Sequence, residues 1–200
     1  MNVAWDVARA GGMVAFGLLT ASVLLGILLA GRKTLPRWPR FAVEDVHRFA
    51  GTLTWTFIGV HVAGLLVDTY IGFSLGQVLI PFTSSYRPVP TAAGIVGAEL
   101  LVAIGLANQL KDRIPYSFWR GTHYLNFAVW ALALGHGITA GSDTHAGWAR
   151  LVYLVSAASV VGALAWRIVR RRATGPWAVR LAPVIGGLVA AEFTLALILM

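Results

Sequence analysis

Polar residues along this chain gather in clusters, and six long apolar runs lie between them. The runs cover residues 13–30, 49–67, 92–110, 121–140, 149 or 150–166, and 181–200, with Glu99 inside the third and Glu192 inside the sixth. A helix needs about 20 apolar residues to cross the hydrocarbon core of a bilayer, so each run reads as a span. The period-two alternation of a membrane barrel is missing. Backbone groups in lipid must find partners within their own segment, which leaves helices as the physical solution. The pattern therefore predicts an all-α polytopic membrane protein, a six-transmembrane-helix bundle forming a single domain over residues 1–200. The longest connection, 68–90, contains an apolar piece at 71–82 that is too short to span and is expected to lie as a short helix at the interface. Pro81, Pro88 and Pro90 stiffen the return to the third span.

Composition sharpens this reading. Hydrophobic residues make up 58% and charged residues 12%, and the mean hydropathy is +0.73. A soluble domain carries roughly 25% charged residues, so that class is excluded. The formal net charge of +8 suggests nucleic-acid binding until the charges are placed. Arg32, Lys33, Arg37, Arg40 and Arg48 follow the first span; Lys111, Arg113 and Arg120 follow the third; Arg167, Arg170, Arg171, Arg172 and Arg180 follow the fifth. Of 16 basic residues only Arg9, Arg87 and Arg150 fall on the other side. The positive-inside rule then puts connections one, three and five in the cytoplasm and both termini outside. The basic excess is a topology signal with a lipid bilayer as partner, and no nucleic acid is implied. Asp6, the single Arg9 and the length of the first run argue against a cleaved signal peptide. With no cysteine, disulfides and thiolate-held clusters are excluded.

Four of the five histidines carry the candidate chemistry. His47 and His61 fall on the second span, His123 and His136 on the fourth. These spans are parallel, since one helix separates them. At ~1.5 Å per residue, the two spacings correspond to rises of about 21 and 19.5 Å, so the histidines form two levels with one from each helix. Two bis-histidine haems need that arrangement, each iron taking an axial imidazole from either side. Two stacked haems would form a wire across the bilayer. On an ideal helix His123 and His136 face different ways, and Gly135 and Gly137 are the expected sites of local distortion. Intramembrane ionisable residues are costly and usually functional; a lone histidine, by contrast, is often a packing residue. A histidine-lined metal transporter is the alternative from another class.

The stretch Asp45-Val-His47-Arg48-Phe-Ala-Gly51 through Gly59-Val-His61, with Phe118-Trp119-Arg120-Gly-Thr-His123 through Gly135-His136, resembles the ferric reductase-like transmembrane domain. That superfamily includes ferric reductases, the membrane part of NADPH oxidases and the haem subunit of periplasmic methionine sulfoxide reductase. The segment Leu79-Ile-Pro81-Phe82 and the proline-rich turn after it look like the family's outer connection. The resemblance covers about residues 43–141, the expected haem-binding core. It implies two b-type haems, with His47 and His123 on the inner iron and His61 and His136 on the outer. The presence of His47 favours a ferric reductase-like relative over the sulfoxide reductase subunit. No dinucleotide fingerprint or flavin and nicotinamide domain is evident. A separate donor, a flavoprotein or a quinol, is therefore expected to supply electrons, and an outer acceptor (ferric iron, oxygen or an extracytoplasmic redox partner) to take them. A quinol-linked subunit of a periplasmic reductase is the second redox reading.

Arg48 and Arg120 flank the inner histidines and are candidates to bind haem propionates, besides anchoring the cytoplasmic side. Asp45 is expected to cap the second span. Glu99 and Glu192 are expected as neutral acids hydrogen-bonded between helices, or as groups that orient an imidazole or pass protons. Asn126 is expected to hydrogen-bond near the inner haem. His145, in an outer loop, reads as a surface residue. Trp5, Trp38, Trp119, Trp148 and Trp177 read as interface anchors.

Overall fold

The computed structural model describes residues 3–31 and 38–172, with side chains up to residue 169. The described residues are helical: α1 (Val3–Ala30), α2 (Arg40–Val67), α3 (Leu75–Leu79), α4 (Pro88–Gln109), α5 (Tyr116–Tyr124), α6 (Asn126–Ala140) and α7 (Gly147–Arg172). Four helices are long and apolar enough to cross a membrane: α1, α2, α4 and the Gly147–Val169 part of α7. The chain is an integral membrane protein by these helices. The sixth predicted run, 181–200 with Glu192, lies outside the described residues, as do Trp177, Arg180 and the side chains of Arg170, Arg171 and Arg172.

The fourth predicted run does not form one helix. It breaks at Leu125, where the chain passes from α5 to α6. Leu125 N–H bonds back to Thr122 O at 3.0 Å, a tightened turn. The Asn126 side chain donates to His123 O at 2.8 Å. A side chain that offers the backbone a local alternative competes with the helical ladder. α6, with 15 residues, is shorter than a full span.

The chain divides into two compact units. The first comprises residues 1–16 and 55–141. In it α4 packs on α6 and α5. The buried face of α4 is Thr91, Ala92, Ile95, Gly97, Leu101, Ile104 and Ala107. Glu99 falls on the other side of this period, on an exposed position of α4 with no hydrogen-bond partner among the described residues, so the expected inter-helix bond does not form there. In the same unit α1 and α2 approach closely. A Cβ added at Gly64 would lie 2.9 Å from Ala8 N and 3.0 Å from Ala4 O. Ala4, Ala8 and Gly12 recur every fourth residue on α1, the small-residue ridge that lets membrane helices touch backbone to backbone.

The connection into α4 is built around Tyr86 and Arg87. Tyr86 packs edge-on against Trp5 and Phe73, with ring centres 6.2 and 6.1 Å away. Its hydroxyl donates to Ala140 O at 3.0 Å, and Arg87 Nη1 donates to Thr139 O at 2.6 Å. Both therefore satisfy carbonyls at the C-terminal end of α6, where positive charge is favoured. Before this turn α3 is shorter than the apolar piece predicted at 71–82. Ser74 and Gln77 close a capping box at its start. Leu75, Leu79, Ile80 and Phe82 stay exposed.

The second unit comprises, among the described residues, 17–31, 38–54 and 142–172. Thr20 and Ser156 share a buried hydrogen bond of 2.8 Å between α1 and α7. Arg167 Nη1 donates to Ile27 O at 3.0 Å, near the C-terminal end of α1. Hydrogen bonds between membrane helices contribute about 0.6 kcal/mol on average. Thr20→Val is therefore expected to lower stability by about that amount, read as a small drop in the midpoint of thermal unfolding in detergent.

Candidate functional site

In the first unit, His61 on α2 and His136 on α6 come together. Their ring centres are 6.2 Å apart and the rings are inclined at 79°. Each ring is fixed by its Nδ1. His61 Nδ1 lies 2.7 Å from Ala8 O, and His136 Nδ1 lies 2.8 Å from Pro90 O. A carbonyl only accepts, so Nδ1 carries the proton in both rings and Nε2 keeps its lone pair. The two imidazoles thus present two neutral donor nitrogens, the tautomer that a metal-binding histidine adopts when a carbonyl holds its far nitrogen.

Two rings with centres 6.2 Å apart, each with its Nδ1 on a carbonyl, would leave two Nε2 atoms available to hold one metal. Among the described residues no group of three or more His, Cys, Asp or Glu side chains is arranged to hold a metal ion. Two imidazoles supply only two donors, which suits an iron whose other four come from a porphyrin. The residues present therefore fit a haem at this level.

His47 lies in the second unit and has the same kind of seat. Its Nδ1 is 2.9 Å from Ser22 O, with Ser22 Oγ at 3.2 Å. The same displacement of fourteen residues separates His47 from His61 and Ser22 from Ala8. His123 lies in the first unit at the end of α5, stacked on Trp119 with ring centres 5.4 Å apart. Trp119 in turn meets Tyr116 at 5.6 Å and donates from Nε1 to Asn108 Oδ1 on α4 at 2.9 Å. The tryptophan expected as an interface anchor therefore also holds the face of an imidazole. Its three- and four-residue spacing from Tyr116 and His123 was the available signal.

The irregularity expected at Gly135 and Gly137 lies instead at Leu125, between the two histidines. The angular mismatch of an ideal helix thus does not apply, because His123 and His136 are on separate helices. Asn126 is committed to the His123 carbonyl. The two arginines are on exposed positions. Arg48 is 3.9 Å from Asp45, and Arg120 donates from Nη2 to Tyr124 Oη at 3.0 Å. Asp45 sits within α2 rather than at its cap, because the helix begins at Arg40. His145 lies 3.4 Å from Arg150 Nη2.

A family model described as "Ferric reductase like transmembrane component" matches residues 11–134. The chain belongs to that family. The match includes His47, His61 and His123 and ends just before His136. No curated protein and no solved structure matches the chain. In this ferric reductase-like chain the match also covers Gly12, Gly26 and Gly94, the glycines closest to the seated imidazoles. Sequence reasoning passed over all three, since they are unremarkable among 22 glycines.

Proposed function

We propose that this ferric reductase-like chain is a di-haem b membrane cytochrome that moves electrons across the bilayer. The observation that carries the reading is the His61–His136 pair, whose 6.2 Å separation and carbonyl-held Nδ1 atoms would let both imidazoles hold one haem iron. His47 and His123 are proposed as the ligands of a second haem, nearer the basic connections. The repeated seat at Ser22 supports His47 in that role. Each haem supplies a one-electron carrier. The chain's own residues hold His61 and His136 by their Nδ1 atoms and so fix their ring planes. Arg48 and Arg120 are proposed to bind propionates at the inner level.

The proposed topology has six spans, with the termini outside and the inner level facing the cytoplasm. Electrons would enter from a separate flavoprotein or a quinol and leave to ferric iron, oxygen or an extracytoplasmic redox partner. The test is haem quantitation with a reduced-minus-oxidised spectrum on purified full-length protein. About two haems b per chain with low-spin, bis-imidazole character are expected. A colourless protein that takes up divalent metal would overturn the reading in favour of transport.

A further inference from the structure

Each seated imidazole bonds a carbonyl within a helix, and in each case the residue four positions later is glycine: Ala8 and Gly12 for His61, Ser22 and Gly26 for His47, Pro90 and Gly94 for His136. The helix gives a reason. The side chain at position i+4 stands beside the carbonyl of residue i, which is why a serine or threonine there can bond back to it. This chain shows that geometry directly. Thr54 Oγ1 reaches Ala50 O at 2.8 Å, and Thr139 Oγ1 reaches Gly135 O at 2.6 Å. An imidazole arriving from a neighbouring helix must occupy the same space.

We propose that Gly12 and Gly94 are positioning residues, which admit His61 and His136 to the carbonyls of Ala8 and Pro90 and so aim Nε2 of each ring at the iron. The inference rests on the haem reading above. A Cβ built at Gly94 would lie 2.7 Å from His136 Nδ1, and one built at Gly12 would lie 2.9 Å from His61 Nδ1. Both rings are held by a hydrogen bond at the same atom, so neither can yield without giving it up. Gly26 differs in degree. Its Cβ would meet His47 Cε1 at 3.5 Å, an ordinary contact. The two outer seats are thus closed by a single methyl group, whereas the His47 seat tolerates one.

Four variants of the full-length protein decide this: Gly12→Ala, Gly94→Ala, Gly26→Ala, and Gly17→Ala as control. A Cβ at Gly17 meets nothing within 4 Å. Alanine is the better helix former, so the backbone has no intrinsic reason to unfold. The readouts are haem per chain, the low-spin spectrum and the midpoint potential of each haem. Gly12→Ala and Gly94→Ala are expected to weaken retention of the outer haem about 10–100-fold, as loss of a ligand's orienting partner does, and to shift its potential. Gly26→Ala and Gly17→Ala should match the parent. Wild-type haem content, spectrum and potential in Gly12→Ala and Gly94→Ala overturn the proposal.

A second measurement does not depend on variant folding. Nitrogen-15 histidine spectra of the reduced protein should show His61 and His136 protonated at Nδ1, and protonation at Nε2 instead would overturn the seat. If the parent binds no haem, the functional reading fails, and the same spectra on the haem-free protein still test the seats.

Discussion

His61→Ala and His136→Ala are each expected to remove one haem, lowering the content from about two per chain to about one while leaving the spectrum of the other intact. The expectation comes from how the pair is built. The ring centres are 6.2 Å apart, and each ring is locked by a backbone carbonyl on a third element, α1 for His61 and the start of α4 for His136. Neither ring can swing to replace the other. With one imidazole gone a haem here would be held by a single side chain, and its retention should fall by more than the about 10–100-fold that loss of an orienting partner alone produces. Electron delivery to an outer acceptor should fail together with the lost haem, since the carrier nearest that face is gone. Pyridine haemochrome assay per chain reads the result. Two haems per chain surviving in either variant would show that this pair is not a ligand set. His47→Ala, in contrast, should spare the outer spectrum.

The pairing of His61 with His136 could be read from sequence because rise per residue is nearly constant along a helix. The two spacings are close enough for depth to be matched without knowing any contact, and His61 and His136 do meet. Direction around the helix axis is less robust. On one continuous helix His123 and His136 would face different ways, but the chain breaks at Leu125, beside the Asn126 bond to the His123 carbonyl. Glu99 shows a related limit. A carboxyl in an apolar run reads as buried, yet burial depends on which face of α4 packs. The small residues Ala92, Gly97 and Ala107 share that buried face with the larger Ile95, Leu101 and Ile104.

The seats were illegible for a different reason. A glycine that accommodates a ring and a glycine that meets nothing look the same in one dimension. Gly12 and Gly17 are near neighbours on α1, but only the first has an imidazole over it. The rule that distinguishes them joins a carbonyl, a residue four positions later and a histidine on another helix. Such a rule cannot be written until the helices are placed. The family model thus identifies the family, whereas the contacts that hold each imidazole appear only in three dimensions.

Gly64→Val should be the most damaging substitution that leaves every histidine in place. A Cβ at Gly64 would lie 2.9 Å from both the Cβ and the backbone N of Ala8, and 3.0 Å from Ala4 O. Backbone atoms cannot rotate away as a side-chain tip can, so α1 and α2 must separate. Ala8 is fully buried. Overpacking a tight contact costs about 1–3 kcal/mol, and the branched valine should sit at the upper end. The damage extends to the site, because the displaced residue is the one whose carbonyl holds His61 Nδ1 at 2.7 Å. Hydrogen bonds weaken steeply once geometry departs from linear and short, so the ring should lose its fixed tautomer as the helices part. The series Gly64→Ala, Gly64→Val should therefore lower the thermal midpoint and the outer-haem content in step. Gly17→Ala, on an exposed position of the same α1 helix, should lower neither. Stability falling while both haems stay would mean that the α1 contact supports the fold but not the ligand. A Gly64→Val protein as stable as its parent would show that these helices do not touch backbone to backbone in the membrane.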